Sequence, residues 1–373
     1  MNHVVVLGAG RVGGAMALDL APDFRVTVVD KSQAGLDRMA ARGLATRSAD
    51  LASPEGVRGA VADADLVVGA VPGFMGFETA KAVLEAGKPL VDISFFDDDC
   101  FRLDELAKAR GLTAIVDCGI APGAHNIILA DTARQWDQVT AFECLVGGLP
   151  VIRTWPYEYK AGFSPIDVVE EYTRPTRYRK EGKEVVYPAL SEPELLDFPG
   201  LGTLESFNTD GLRSLLKTFP DIPDMKEKTL RYPGHIEKMR MLRESGFFRK
   251  DKLRVGGVEV SPLDLTTALL FPMWFMEEGD EDFTVMRVTV EGMHGGKKVR
   301  KVLDMLDRYD RPTRTTSMAR TTGYTATAAV RLLASGRFRR QGICPPEYLG
   351  MEPGAWDFMR AELAQRGIVF TEG

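Results

Sequence analysis

The chain has 373 residues, 45% apolar and 27% charged, and at this length a single hydrophobic core gives way to two domains. Its net charge of −6 argues against the basic stripe of a nucleic-acid surface. No run approaches the roughly 18 apolar residues of a membrane span, so neither nucleic acid nor membrane is an expected partner.

The first strand begins within a few residues of Met1, which leaves no place for a secretory leader. Cys100, Cys118, Cys144 and Cys344 are scattered, with no CxxC pair and no histidine cluster beside them. Reduced thiols, a cytoplasmic setting and no metal site are the expectation.

Residues 4–30 carry the strongest local signal. Val4–Leu7 is a buried strand, Gly8-Ala9-Gly10-Arg11-Val12-Gly13 is a G-x-G-x-x-G turn opening a helix, and Val26–Asp30 is a second buried strand ending on an acid. Gly8 permits the tight turn, Gly10 admits a pyrophosphate, and Gly13 lets helix and strand pack closely. Helix amides, beginning near Arg11 and Val12, then hold the phosphates. Asp30, about twenty residues beyond the turn, suits the adenosine ribose hydroxyls and repels a 2′-phosphate, which points to NAD as cofactor.

Strand and helix patterns continue to alternate. Helices are expected at 32–42, from Ser53-Pro54-Glu55, at 77–85 and at 104–110, with strands at 45–49, 66–70, 89–94 and 113–116. The spacing predicts a Rossmann-type doubly wound parallel sheet. Ligands of such sheets lie outside the carboxyl ends of the strands. There Val71, Pro72, Ser94, Asp117 and Gly119 form an expected cofactor rim, with Asp117 also a candidate for proton chemistry.

Beyond Val139 the texture becomes that of an α+β substrate domain, with strands expected at 140–147, 185–187, 202–207 and 283–291. A helix rich in small residues at 321–334 and another at 353–366 return to the first domain. The expected boundaries are 1–124, 125–316 and 317–373.

Within the second domain Arg213 and Arg231 suit a substrate carboxylate, because the guanidinium fork matches its two oxygens. Asp210 either meets a substrate ammonium or caps a helix starting at Gly211. His235 titrates near neutrality and is the leading acid–base candidate. Lys160 is the second, since Trp155, Tyr157, Tyr159 and Phe163 offer desolvation. His3 and His294 read as solvent-facing.

Three sets of residues resemble the saccharopine dehydrogenase superfamily: Gly69–Phe74, Asp117–Gly123 with Asn126, and Glu171-Tyr172-Thr173-Arg174-Pro175. Phe207–Ser214, Arg231–Lys238 and Ser317–Gly323 resemble its NAD-dependent L-lysine 6-dehydrogenase branch. That resemblance implies a homodimer joined through the substrate domain's sheet, and an amino-acid substrate. It implies oxidative deamination of the lysine terminal amine to 2-aminoadipate 6-semialdehyde, with release of ammonia. The alternatives are saccharopine or carboxynorspermidine dehydrogenase, which would need further cations such as Arg174, Arg177 or Arg179, and a non-catalytic NAD-binding regulator.

Overall fold

The structure, a computed structural model, describes residues 2–373. It divides into a first unit running to Trp136 and including Met318–Phe370, and a second of Asp137–Ser317 with Thr371–Gly373.

The chain enters through β1 (His3–Leu7), α1 (Arg11–Leu20), β2 (Arg25–Asp30), α2 (Gln33–Ala40), β3 (Ala45–Ser48) and α3 (Pro54–Val61). It continues through β4 (Leu66–Gly69), α4 (Gly73–Glu85), β5 (Leu90–Asp92), α5 (Asp104–Ala109), β6 (Thr113–Ile115) and α6 (Ala124–Gln135). The second unit holds β7 (Gln138–Pro150), α7 (Pro165–Thr173), β8 (Thr176–Lys180), β9 (Lys183–Tyr187), β10 (Glu194–Phe198), β11 (Gly202–Asn208), α8 (Leu215–Thr218) and β12 (Asp224–Arg231). After these come α9 (His235–Glu244), β13 (Leu253–Val255), β14 (Val258–Val260), α10 (Pro262–Trp274), β15 (Asp282–His294) and β16 (Lys297–Arg308). The return comprises α11 (Ser317–Ala334), β17 (Gly342–Cys344), α12 (Glu347–Gly350), α13 (Ala355–Gln365) and β18 (Phe370–Glu372).

The first sheet has seven strands in the order β17-β6-β5-β4-β1-β2-β3, with parallel pairing throughout. The doubly wound sheet expected from the sequence is therefore present. Its central strands read as unbroken apolar runs, because helices cover both faces and no residue of Val4–Leu7 meets water.

The returning helix α11 explains its own composition. A Cβ on Gly323 would lie 2.9 Å from Met16 Cγ of α1, so the two helices cross where only a small residue fits. Asp19 of α1 then accepts from Thr327 at 2.6 Å, Arg331 at 2.7 Å and Arg366 at 2.5 Å, which fastens the returning segment. The helix α6, expected to open the second domain, is counted with the first. The reason is packing: a Cβ on Gly350 of α12 would lie 2.8 Å from Ala130 Cβ, so α6 and α12 are in direct backbone contact.

The second sheet is mixed, in the order β10-β11-β12-β7-β15-β16-β18, with β8 on β12 and β9 on β8. Two hairpin turns are built on glycine pairs. Gly256 and Gly257 (φ +56° and +85°) join β13 to β14, and Gly295 and Gly296 (+57° and +72°) join β15 to β16. Successive residues with positive φ suit the right-handed twist of the flanking strands. The four cysteines are all buried, and none is in a disulfide. His3 is not solvent-facing as expected: it is buried, with Nε2 at 2.9 Å from Thr27 Oγ1 and Nδ1 at 2.9 Å from the Asp63 carbonyl.

Candidate functional site

In the first unit the three turn glycines differ in a way that fits a nucleotide. A Cβ at Gly8, where φ is +118°, would lie 2.5 Å from the Ala70 carbonyl oxygen, and one at Gly13 would overlap the Gly8 carbonyl. Gly10, by contrast, has open space around its missing Cβ. Two glycines are thus demanded by the fold, and the third leaves room for something the fold does not supply. Gly10 precedes α1 with no side chain capping the first turn, whose amides are therefore available to an anion beside Arg11 and Val12.

Asp30 ends β2 as expected, with a second task that the sequence did not disclose. Its Oδ2 accepts from the Ala9 amide at 2.6 Å and Oδ1 from the Ser32 amide at 2.8 Å. The carboxylate ties the glycine turn to the strand that presents it. At the rim, Ser94 Oγ reaches the Val71 carbonyl at 3.0 Å, and Pro72 precedes α4. The latter helix starts at Gly73, earlier than the Gly-rich sequence suggested.

Asp117 is buried in left-handed backbone (φ +53°) at the end of β6. Non-glycine residues held there carry strain that often marks a functional position. The Gly119 amide donates to the Pro122 carbonyl at 2.9 Å. Asn126, part of the quoted motif, accepts from the Gly123 amide and donates to Glu347, closing that loop. Burial pushes Asp92 up to about 7, opposed by Ser94 and reinforced by Asp117. Burial and these two carboxylates also drive the Cys118 thiol up, so it stays protonated.

In the second unit the motifs at 171–175 and 231–238 converge on one buried cluster. Arg231 Nε donates to Tyr172 Oη at 3.2 Å, its NH1 to the Leu230 carbonyl at 3.0 Å, and its NH2 to Glu171 at 2.9 Å. The guanidinium also lies 4.6 Å from the Tyr159 ring centroid, a cation–π stack. Tyr172 Oη lies 2.9 Å from His235 Nε2, and His235 Nδ1 lies 2.8 Å from the Tyr157 carbonyl. A carbonyl accepts only, so Nδ1 carries the hydrogen and Nε2 accepts from the tyrosine. Burial first, then the Arg231 charge, pushes His235 down to about 3, and it is neutral at physiological pH.

This geometry gives four of the expected site residues partners within the protein. His235 is not an open base, because both ring nitrogens serve protein partners inside a core with Trp274 and Phe207. Three of the five N–H donors of Arg231 go to Tyr172, Leu230 and Glu171. Lys160 is not a desolvated amine: its Nζ donates to the Phe275 carbonyl at 2.7 Å and pairs with Asp280 at 3.4 Å. Asp210 is held by Arg177. It accepts from the Arg177 amide at 3.0 Å, Nε at 3.1 Å and NH2 at 2.9 Å.

Arg213 lies beside that pair, half-buried in left-handed backbone (φ +50°). The turn before it is crowded, since a Cβ on Gly211 would overlap the Glu227 carboxyl. Burial pushes Glu227 up to about 8, and it accepts from Thr209 at 2.6 Å. Glu171, Tyr172, Glu227 and Asp92 were not singled out as site residues by sequence. Acids and tyrosines inside ordinary helix and strand patterns give no sign of the partners that the fold brings to them.

A parallel doubly wound unit with an anion-ready glycine turn, joined in sequence to a mixed-sheet unit, defines a two-domain nucleotide-dependent protein. Residues 4–115 match the saccharopine dehydrogenase NADP binding domain and residues 119–368 match the saccharopine dehydrogenase C-terminal domain. The chain belongs to the saccharopine dehydrogenase family, and its first unit is a nicotinamide-dinucleotide domain. It is 26% identical over 227 residues to an alpha-aminoadipic semialdehyde synthase of Arabidopsis thaliana, covering 55% of this chain and 21% of that protein. It is 26% identical over 268 residues to a saccharopine dehydrogenase [NADP(+), L-glutamate-forming] of Saccharomyces cerevisiae, covering 67% of this chain and 59% of the relative. The chain thus spans about a fifth to three-fifths of the length of these relatives. A solved saccharopine dehydrogenase (L-Glu forming) from Saccharomyces cerevisiae shares the fold, with a TM-score of 0.81 at 19% identity over 100% of this chain and 99% of that one. Among the described residues no helix is long and apolar enough to cross a membrane.

Proposed function

We propose that the chain is an NAD-dependent dehydrogenase that oxidatively deaminates the terminal amine of L-lysine. The observation that carries this reading over its runner-up is the fate of Arg177 and Arg179. A saccharopine-like substrate brings further carboxylates and needs further cations. Arg177 is instead locked in a fork with Asp210, and Arg179 donates to the Pro220 carbonyl at 2.8 Å and the Leu216 carbonyl at 3.0 Å. Arg231 is spent on Glu171. With those held by the protein, we assign Arg213 to the single carboxylate of lysine.

Bound at the glycine turn, the cofactor supplies a hydride acceptor. Gly10 and the first-turn amides of α1, with Arg11 and Val12, hold its phosphates, and Val71, Pro72, Ser94 and Gly119 shape the rim. Asp30 supports NAD, because a carboxylate at the end of β2 disfavours a 2′-phosphate. The name of the Saccharomyces cerevisiae relative carries NADP, and in this proposal Asp30 turns the preference of this chain to NAD. The lysine ε-ammonium has a reference pKa near about 10.4 and must lose a proton before hydride can leave. Association as a homodimer through the mixed sheet belongs to the same reading.

The test is reduction of NAD and NADP by the purified protein, followed by absorbance of the reduced nicotinamide, with lysine and with saccharopine. Turnover of lysine with NAD is the expected result. Turnover of saccharopine alone, or preference for NADP, overturns the substrate or cofactor assignment. Cofactor binding without reduction of any kind favours a regulator.

A further inference from the structure

Asp92 ends β5 fully buried, and its carboxyl group meets Ser94 twice. The Ser94 amide donates to Oδ1 at 2.7 Å, and Ser94 Oγ lies 3.3 Å from Oδ2. The same hydroxyl lies 3.0 Å from the Val71 carbonyl. A serine hydroxyl has one proton, and an ionised carboxylate and a carbonyl are both acceptors. The arrangement is fully satisfied when Asp92 is protonated: Oδ2–H donates to Ser94 Oγ, and the Ser94 hydroxyl donates to Val71. Ionisation turns that hydroxyl toward Oδ2 and takes this donor away from the Val71 carbonyl. The charge state of Asp92 is thus wired to two residues of the β4–β5 edge.

The surroundings keep the balance close. The titratable groups that face Asp92 are Asp117, past the end of β6, and the buried Cys118 thiol, whose amide donates to the Asp92 carbonyl at 2.9 Å. From β4 comes Gly69, where any side chain would overlap Oδ2, and α4 approaches through Gly76, whose Cβ would lie 2.7 Å from Ser94 Cβ. Among the described residues, no cation acts on the carboxyl group. A buried acid with an acidic neighbour and no counter-charge holds its proton to near neutrality. A positive charge placed at the same edge would remove it.

We propose that Asp92 is a cofactor-linked proton site, protonated in the cofactor-free protein and ionised when the oxidised, cationic nicotinamide docks at the edge formed by Val71 and Ser94. The proton passes to solvent, and no other bond is made or broken. The reduced nicotinamide is uncharged and leaves Asp92 protonated. The proposal rests on the assignment of Val71 and Ser94 to the cofactor rim.

Calorimetric titration of the whole protein with NAD and with NADH, in two buffers of different ionisation enthalpy, reads the protons released. Near neutrality NAD is expected to release a substantial fraction of a proton per site and NADH none, and NAD affinity is expected to tighten severalfold as pH rises through neutrality. Asp92→Asn, whose amide keeps a donor toward Ser94, is expected to bind both forms without release. Equal release with NAD and NADH in the unaltered protein overturns the proposal, and that comparison needs no variant. Undiminished release in the variant also overturns it. Absence of any binding heat overturns the cofactor assignment itself, and the proposal with it, a result distinct from binding without proton release.

Discussion

The hydroxyl of Tyr172 joins His235 to Arg231: it donates to the imidazole Nε2 at 2.9 Å and accepts from the guanidinium Nε at 3.2 Å. One oxygen therefore fixes the tautomer of a histidine and satisfies part of a buried cation. The chain continues to the Tyr157 carbonyl on one side and Glu171 on the other. Each member depends on its neighbours, because an unpaired polar group here would have no water to turn to.

The imidazole gives this network a pH signature. His235 is lowered from 6.5 to about 3 in the folded chain, so the unfolded chain takes up a proton that the folded chain refuses. Stability is then lost as pH falls from about 6.5 toward 3, at up to about 1.4 kcal/mol per pH unit. His235→Gln should be most destabilising at neutral pH, and its deficit should shrink as the solution is acidified. Urea unfolding of both proteins across that range checks it, and parallel pH dependences would show that His235 titrates normally.

Replacing Tyr172 by Phe removes the donor to Nε2 and the acceptor for Arg231. We expect a loss of about 1–3 kcal/mol, the cost of leaving buried partners unsatisfied. Circular dichroism melts and denaturant midpoints measure it. A change smaller than a few tenths of a kcal/mol would mean that water replaces the hydroxyl.

Arg231 and Arg213 should separate in their effects. Arg231→Lys loses the fork that serves Glu171 and Tyr172 and should lower stability by about 2–3 kcal/mol. That is below the range for a fully buried pair, because the Glu171 side chain is 23% exposed. Arg213→Lys should raise KM for lysine roughly ten- to a hundredfold, the loss of about 1.5–3 kcal/mol of charged hydrogen bonding. An unchanged KM in the Arg213 variant would place that arginine outside the substrate site.

The turn glycines give a sharper contrast. Gly13→Ala forces a Cβ onto the Gly8 carbonyl and should destabilise the first unit. Gly10→Ala meets nothing in the protein and should preserve the melting temperature while weakening cofactor affinity at least about tenfold, the equivalent of about 1.4 kcal/mol. Calorimetry and thermal melts on the pair distinguish the two. A Gly10 variant that binds normally would mean that the phosphates lie elsewhere.

What could be read from the order of residues is what depends on near neighbours. The strand–glycine–helix–strand–acid run of 4–30 and the parallel sheet follow from local periodicity and backbone freedom, and the structure contains them. The family was equally legible, because its motifs are contiguous. The candidate site was legible as a set of segments: 171–175 and 231–238 do meet. The role of each side chain was not, because charge and hydrogen-bonding capacity are settled by partners distant in sequence. Arg177 takes Asp210, Phe275 and Asp280 take Lys160, and Tyr157 with Tyr172 takes His235. Each pairing removes a candidate that composition and spacing alone had left open. Asp92 shows the converse: an acid whose sequence places it only at a strand end becomes a proton-holding group once burial, Ser94 and Asp117 surround it. The sequence by itself determined the nucleotide fold and the family, because those rest on patterns within a few turns or strands. Tertiary structure decided which ionisable groups are already spent, because desolvation and pairing exist only after the chain has folded.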